Sequence, residues 1–194
     1  RAQSEGIAQG QTLVALKDRH IEEAQAFSKA YLARDVQMRR IVELSTLGRE
    51  GMDNLQAELQ AAGDVQRALL VANANKTLLR MRLRLVAALP TAGSDAFAEA
   101  SDLYSNLQDQ LSRAGLTLAD PRIRAGLNDV NAITQDLWSE AVAADRGMGD
   151  LQDGLLTVRA TADEVLAVTS EIQDAAETTA ASSAQAAKKI SSMT

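Results

Sequence analysis

The apolar residues of this chain recur in a four-three alternation, and that spacing constrains its fold more than any other feature. Leu13, Lys17, His20, Ala24, Phe27, Tyr31, Arg34, Met38 and Ile41 form one such seam, hydrophobic except at Lys17, His20 and Arg34. Residues spaced this way share one face of a helix, since 3.6 residues complete a turn. A second long seam starts at Met148 and Leu151 and runs through Leu155, Val158, Ala162, Val165, Thr169 and Ile172 to Ile190. Its inward residues shrink to Ala, Thr and Ser toward the C-terminus. That permits close helix approach but buries little apolar area, so the last two turns are expected to fray. Two prolines and 3% aromatic residues argue against a sandwich or barrel of β-strands.

Helix signals divide the rest. Gly48 and Gly51 interrupt the first seam, and Met52, Leu55 and Leu59 begin a short pattern that stops at Gly63, a left-handed cap position. Asp64 caps a third helix that ends at Pro90, Ser94 opens a fourth that Gly115 closes, and Asp120-Pro121 starts a fifth. The expectation is an all-α bundle of six helices, at about 10–46, 52–62, 64–89, 94–114, 121–144 and 148–192. At ~1.5 Å per residue the first and last span about 55 and 65 Å, too long for the others to cover in one layer. Two stacked four-helix modules sharing the two long helices fit these lengths; one four-helix bundle with kinked members is the alternative.

The chemistry is sparse. There is no cysteine and a single histidine, which removes disulfides, thiolate chemistry and multi-histidine metal sites. No phosphate loop or dinucleotide fingerprint occurs. Asp145 to Gly154 lacks the ligand alternation of a calcium loop and reads as a helix–helix corner. No cofactor is expected, and the chain reads as a non-enzyme. A net charge of −6 gives no support for nucleic acid as a partner. The chain opens on Arg1 without a signal peptide and has no run of the roughly 18 apolar residues that a membrane span needs. It is therefore expected to be an excised soluble piece.

Charge stands where the pattern asks for hydrocarbon. Besides Lys17, His20 and Arg34, the third helix carries Arg82 on the seam Val71, Asn75, Leu78, Arg82, Leu85. A buried guanidinium needs an anion: either a carboxylate ligand held in bidentate fashion, or an Asp or Glu of a neighbouring helix. Arg159, beside Val158, flanks the last seam and is expected to reach a neighbour's carboxylate or a ligand. Lys76, Arg80 and Arg84 form a basic stripe on the third helix's opposite face and read as solvated. The candidate ligand-binding residues are Arg34, Arg82, His20 and Arg159.

The stretch from Thr77 through Arg80, Arg82 and Arg84 to Leu89, followed by a Gly/Ser turn and Asp95 to Ala100, resembles the third-helix passage of one receptor family. That family is the periplasmic ligand-binding region of bacterial methyl-accepting chemotaxis receptors, in its helical bimodular form. The Ala- and Ser-rich run from Thr178 to Met193 is similar to the segment entering that family's second membrane helix. The resemblance implies a periplasmic domain of an inner-membrane protein, held between two transmembrane helices and working as a homodimer. It implies recognition of a small organic or amino acid through inward arginines, with a helix displacement as the signal. Arg82 lies in the matching passage; the family's second arginine, a turn further on, is replaced by Val86. The sensor of a histidine kinase, or a structural bundle whose charges pair internally, are the alternatives.

Overall fold

In the computed structural model, residues 2–88, 92–116 and 118–191 are described, and among them all regular structure is helical. Four helices follow one another: α1 (Ala2–Ala61), α2 (Val65–Ala88), α3 (Asp95–Gly115) and α4 (Pro121–Ser191). The all-α expectation holds, but six helices become four. Gly48 and Gly51 do not end the first helix, and the corner expected between 144 and 148 is continuous helix. The third-helix stop at Leu89–Pro90 lies outside the described residues.

The physical reason is what stands opposite each glycine. A Cβ on Gly51 would lie 2.8 Å from Val130 Cγ2, and one on Gly48 would lie 3.2 Å from Leu78 Cδ2. Both glycines therefore let α1 approach its neighbours closely, which offsets the roughly 1 kcal/mol that glycine costs inside a helix. Gly147 likewise faces Gln37, 3.7 Å from where its Cβ would be.

Helix ends follow the local chemistry. Gly63 has φ of 77°, the left-handed conformation that closes α1. Asp64 accepts the Arg67 backbone N–H at 3.1 Å and pairs with the Arg67 guanidinium. Ser94 Oγ caps α3 by accepting Phe97 N–H at 3.3 Å, and Asp120 Oδ1 accepts the Arg122 N–H at 2.8 Å. The Arg67 backbone N–H, then its side chain, holds the Asp64 carboxyl below the usual carboxylate range. A depressed carboxylate stabilises the fold above its unfolded pKa, and that contribution is lost as pH falls through the folded value. Asp64→Asn, which keeps a capping oxygen but loses the charge that Arg67 stabilises, is expected to lower stability at neutral pH while leaving the acid value nearly unchanged, and so to flatten the acid limb of a stability-versus-pH curve measured by chemical denaturation.

The chain divides into two compact units, one holding residues up to 29 with those from 152 onward, the other residues 30–151. The second unit is an up-down-up-down four-helix bundle. Segment 30–61 of α1 meets 121–151 of α4 through Gly51–Val130 and the Glu58–Arg122 pair at 3.2 Å. It meets α2 through Asp53, which accepts from Asn75 at 2.7 Å. α2 and α3 run antiparallel, joined at Thr77–Gln110 and by Arg84–Glu99 at 2.6 Å. α3 joins α4 through Gln108, which donates to Thr134 at 3.0 Å.

Its core is Ile41, Met52, Leu59, Val71, Leu78, Met81, Leu107, Val130 and Leu137, each essentially inaccessible to solvent. Phe97 and Tyr104 stack on Trp138 with ring centroids 5.3 and 4.8 Å away. Two helical turns, about 10.5 Å, separate the α3 rings, which seats the indole between them. Burial there raises the Tyr104 hydroxyl above the usual phenol range.

The first unit is an antiparallel pair formed by the opposite ends of α1 and α4. Leu13, Leu16, His20, Ala24 and Phe27 face Val158, Thr161, Val165, Val168 and Ile172, and all but Thr161 are only half-buried. Two stacked four-helix modules are thus replaced by one four-helix bundle and one helix pair. The reading of the first seam shifts as well. Lys17 is exposed and Tyr31 is 53% exposed, while Leu16 and Ala30 turn inward. A strict seven-residue repeat drifts by about 20° per heptad on a helix of 3.6 residues per turn, so the inward set changes along α1.

Candidate functional site

Each unit carries one place where polar groups converge. In the bundle, a small cleft of about 20 Å³ is lined by residues of all four helices. Ile41, Leu85, Ala88, Phe97, Ala141, Ala144 and Met148 supply apolar walls, and Arg34 of α1 and Asp145 of α4 are its two charged members. Asp145 Oδ1 accepts the Gly93 backbone N–H at 3.0 Å, so the α2–α3 turn is tied to α4 beside the cavity. Gly93 has φ of 61°, a conformation that glycine adopts without strain and that aims this N–H at the carboxylate. The volume admits about one water molecule.

In the helix pair, Thr161 is fully buried and its hydroxyl donates to Glu23 Oε2 at 2.8 Å. His20 Nδ1 lies 3.1 Å from the same Thr161 oxygen. The Thr161 hydroxyl carries one proton, and Glu23 and the Thr157 and Val158 carbonyls all lie within reach of it; the direction of the His20 bond follows from the ring's tautomer. Arg19 holds the other side of Glu23 at 3.3 Å and reaches Glu164 across the pair at 3.2 Å. These outer ion pairs are half-exposed and are worth about 0.2–1 kcal/mol each. The inner bonds matter more, because they join α1 to α4 at Thr161, which is fully buried.

Of the four residues singled out from the sequence, Arg34 lines the cavity. Arg82 is half-buried on α2 but is not among the lining residues. His20 belongs to the helix pair and takes part in its Thr161 layer. Arg159 is exposed on α4. Asp145, Glu23 and Thr161 were not legible as site residues. Asp145 sits in a segment whose glycines read as a corner, and Thr161 is one position away from the seam residue Ala162. The single available signal was Glu23, three residues after His20 and so on the same helix face.

Among the described residues no cluster of three or more His, Asp or Glu is placed to hold a metal ion, and no helix is long and apolar enough to cross a membrane. Compared with protein-family models, with curated proteins and with solved structures, the chain matches none.

Proposed function

We propose that this chain is the extracytoplasmic sensing domain of a chemotaxis transducer, periplasmic and flanked by two transmembrane helices in the full-length protein. The observation that carries the reading is the bundle cavity, where Arg34 and Asp145 face apolar walls from opposite long helices. A guanidinium takes a carboxylate in bidentate fashion, and a neighbouring Asp takes an ammonium group. The pair suits an amino acid better than a simple acid, because Asp145 offers a lone carboxylate nothing but repulsion. Since the cavity holds about one water, a ligand enters only if the helices part. That parting is the signal: the ligand shifts the balance between closed and open packings by its differential affinity for them. α1 and α4, which contribute the cavity's charges, also make the whole of the helix pair.

A homodimer is part of the same proposal. Ile7, Val14 and Ile21 recur at seven-residue spacing on α1 and are 59%, 59% and 41% exposed. A helix pair that buries so little by itself gains most from a second copy on that stripe.

A thermal-shift screen of amino acids and organic acids tests the reading. A ligand at 100 times its Kd stabilises the fold by about 2.7 kcal/mol, or roughly 5–10 °C at this size. The expected result is a shift with a free amino acid that disappears for its amide and in Arg34→Ala. No shift across the panel supports a structural bundle without a ligand, the reading that the cavity's small volume favours.

A further inference from the structure

The outward face of α2 carries a second seam that the bundle leaves uncovered. Val65, Leu69, Ala72, Lys76, Leu79, Leu83 and Val86 alternate by four and three over the length of the helix. Val65, Leu69 and Leu83 are 71%, 60% and 70% exposed, whereas α2 buries Val71, Leu78 and Leu85 on its other side. Isolated exposed leucines are ordinary, but three heptads of them in register have the form of a helix-pairing surface. The charge on α2 has one sign. Arg67, Lys76, Arg80, Arg82 and Arg84 are its charged residues, with no acid among them. Arg67 and Arg84 pair with Asp64 and Glu99 and Arg82 is half-buried, so Lys76 and Arg80 are the exposed cations that this face offers a partner.

We infer that this face docks an acidic amphipathic helix of a partner protein, its apolar stripe laid along Leu69 to Val86 and its carboxylates meeting Lys76 and Arg80. Charge selects this occupant. A second copy laid antiparallel on the seam brings Lys76 against its own counterpart, with no acid on either helix to offset it. A narrow four-three seam also matches a single facing helix better than a broad bilayer contact. The inference is independent of the sensing proposal, since it uses neither the cavity nor the helix pair.

The test uses the full chain and two labelled three-heptad peptides with the same leucine seam. One carries Glu at the flanking positions and opposite Lys76; the other carries Lys there. Fluorescence anisotropy is expected to show the Glu peptide binding at least roughly tenfold tighter, with affinity falling as salt rises. Leu79→Gln/Leu83→Gln, at positions 40% and 70% exposed, is expected to weaken it by about tenfold, with circular dichroism unchanged. Equal binding of the two peptides, or indifference to the double variant, overturns the proposal. So does self-association by sedimentation that the variant abolishes, which assigns the face to a second copy. Variant-sensitive retention by phosphatidylserine vesicles, without peptide discrimination, assigns it to a membrane.

Discussion

Leu107→Ala is expected to lower the stability of the four-helix bundle by about 2–5 kcal/mol, the range for leucine truncation in a rigid core. Leu107 is 0% exposed on α3, among residues that face it from the other helices. Part of the loss is apolar transfer free energy, and part is the cavity left because helices packed on four sides cannot collapse into it. For a chain of this size that corresponds to a fall in Tm of roughly 4–20 °C. The measurement is chemical denaturation followed by Trp138 fluorescence. Trp138 is the one tryptophan and lies between Phe97 and Tyr104 in the bundle, so its signal reports that unit rather than the helix pair. Leu83→Ala, at a 70% exposed position, is the control and is expected to change stability by no more than about 0.5 kcal/mol. Equal effects of the two substitutions contradict the burial pattern.

Glycine substitutions in α1 are expected to differ in sign. A Cβ on Gly10 meets nothing within 4 Å, so Gly10→Ala gains up to about 1 kcal/mol from helix propensity alone. At Gly51 the Cβ would lie 2.8 Å from Val130 Cγ2, and Val130 is buried and β-branched, with little room to turn away. Gly51→Leu is expected to cost about 1–3 kcal/mol or more by forcing α1 from α4. Gly51→Ala sets the propensity gain against the contact, and combining it with Val130→Ala isolates the contact as a coupling of about 0.5–3 kcal/mol. Urea denaturation of the four variants closes the cycle. A coupling near zero means that the close approach is not what Gly51 provides.

These two glycines also mark where reading the chain by itself reaches its limit. From sequence, Gly48 and Gly51 punctuate a helix, because glycine is the poorest ordinary helix former. In the fold they are interior residues, because Leu78 and Val130 stand where their side chains would be. The site divides in the same way. Arg34 was visible as a cation on an apolar seam, but its companion Asp145 was one acid among 26 until the α2–α3 turn placed Gly93 on it. Arg82 looked equivalent to Arg34 by spacing, yet it is Arg34 that lines the cavity.

What the sequence determined alone is local. The helical class follows from the spacing of its apolar residues, and the helix ends follow from Gly63, Asp64, Ser94 and the Asp120-Pro121 pair. Each of these acts through its own backbone or through neighbours within four residues. The number of helices, the split into a bundle and a helix pair, and the polar layer of His20, Glu23 and Thr161 were decided by tertiary structure. They depend on which residue lies opposite, across as many as 141 positions of sequence between His20 and Thr161. Periodicity along one helix carries no record of that distance.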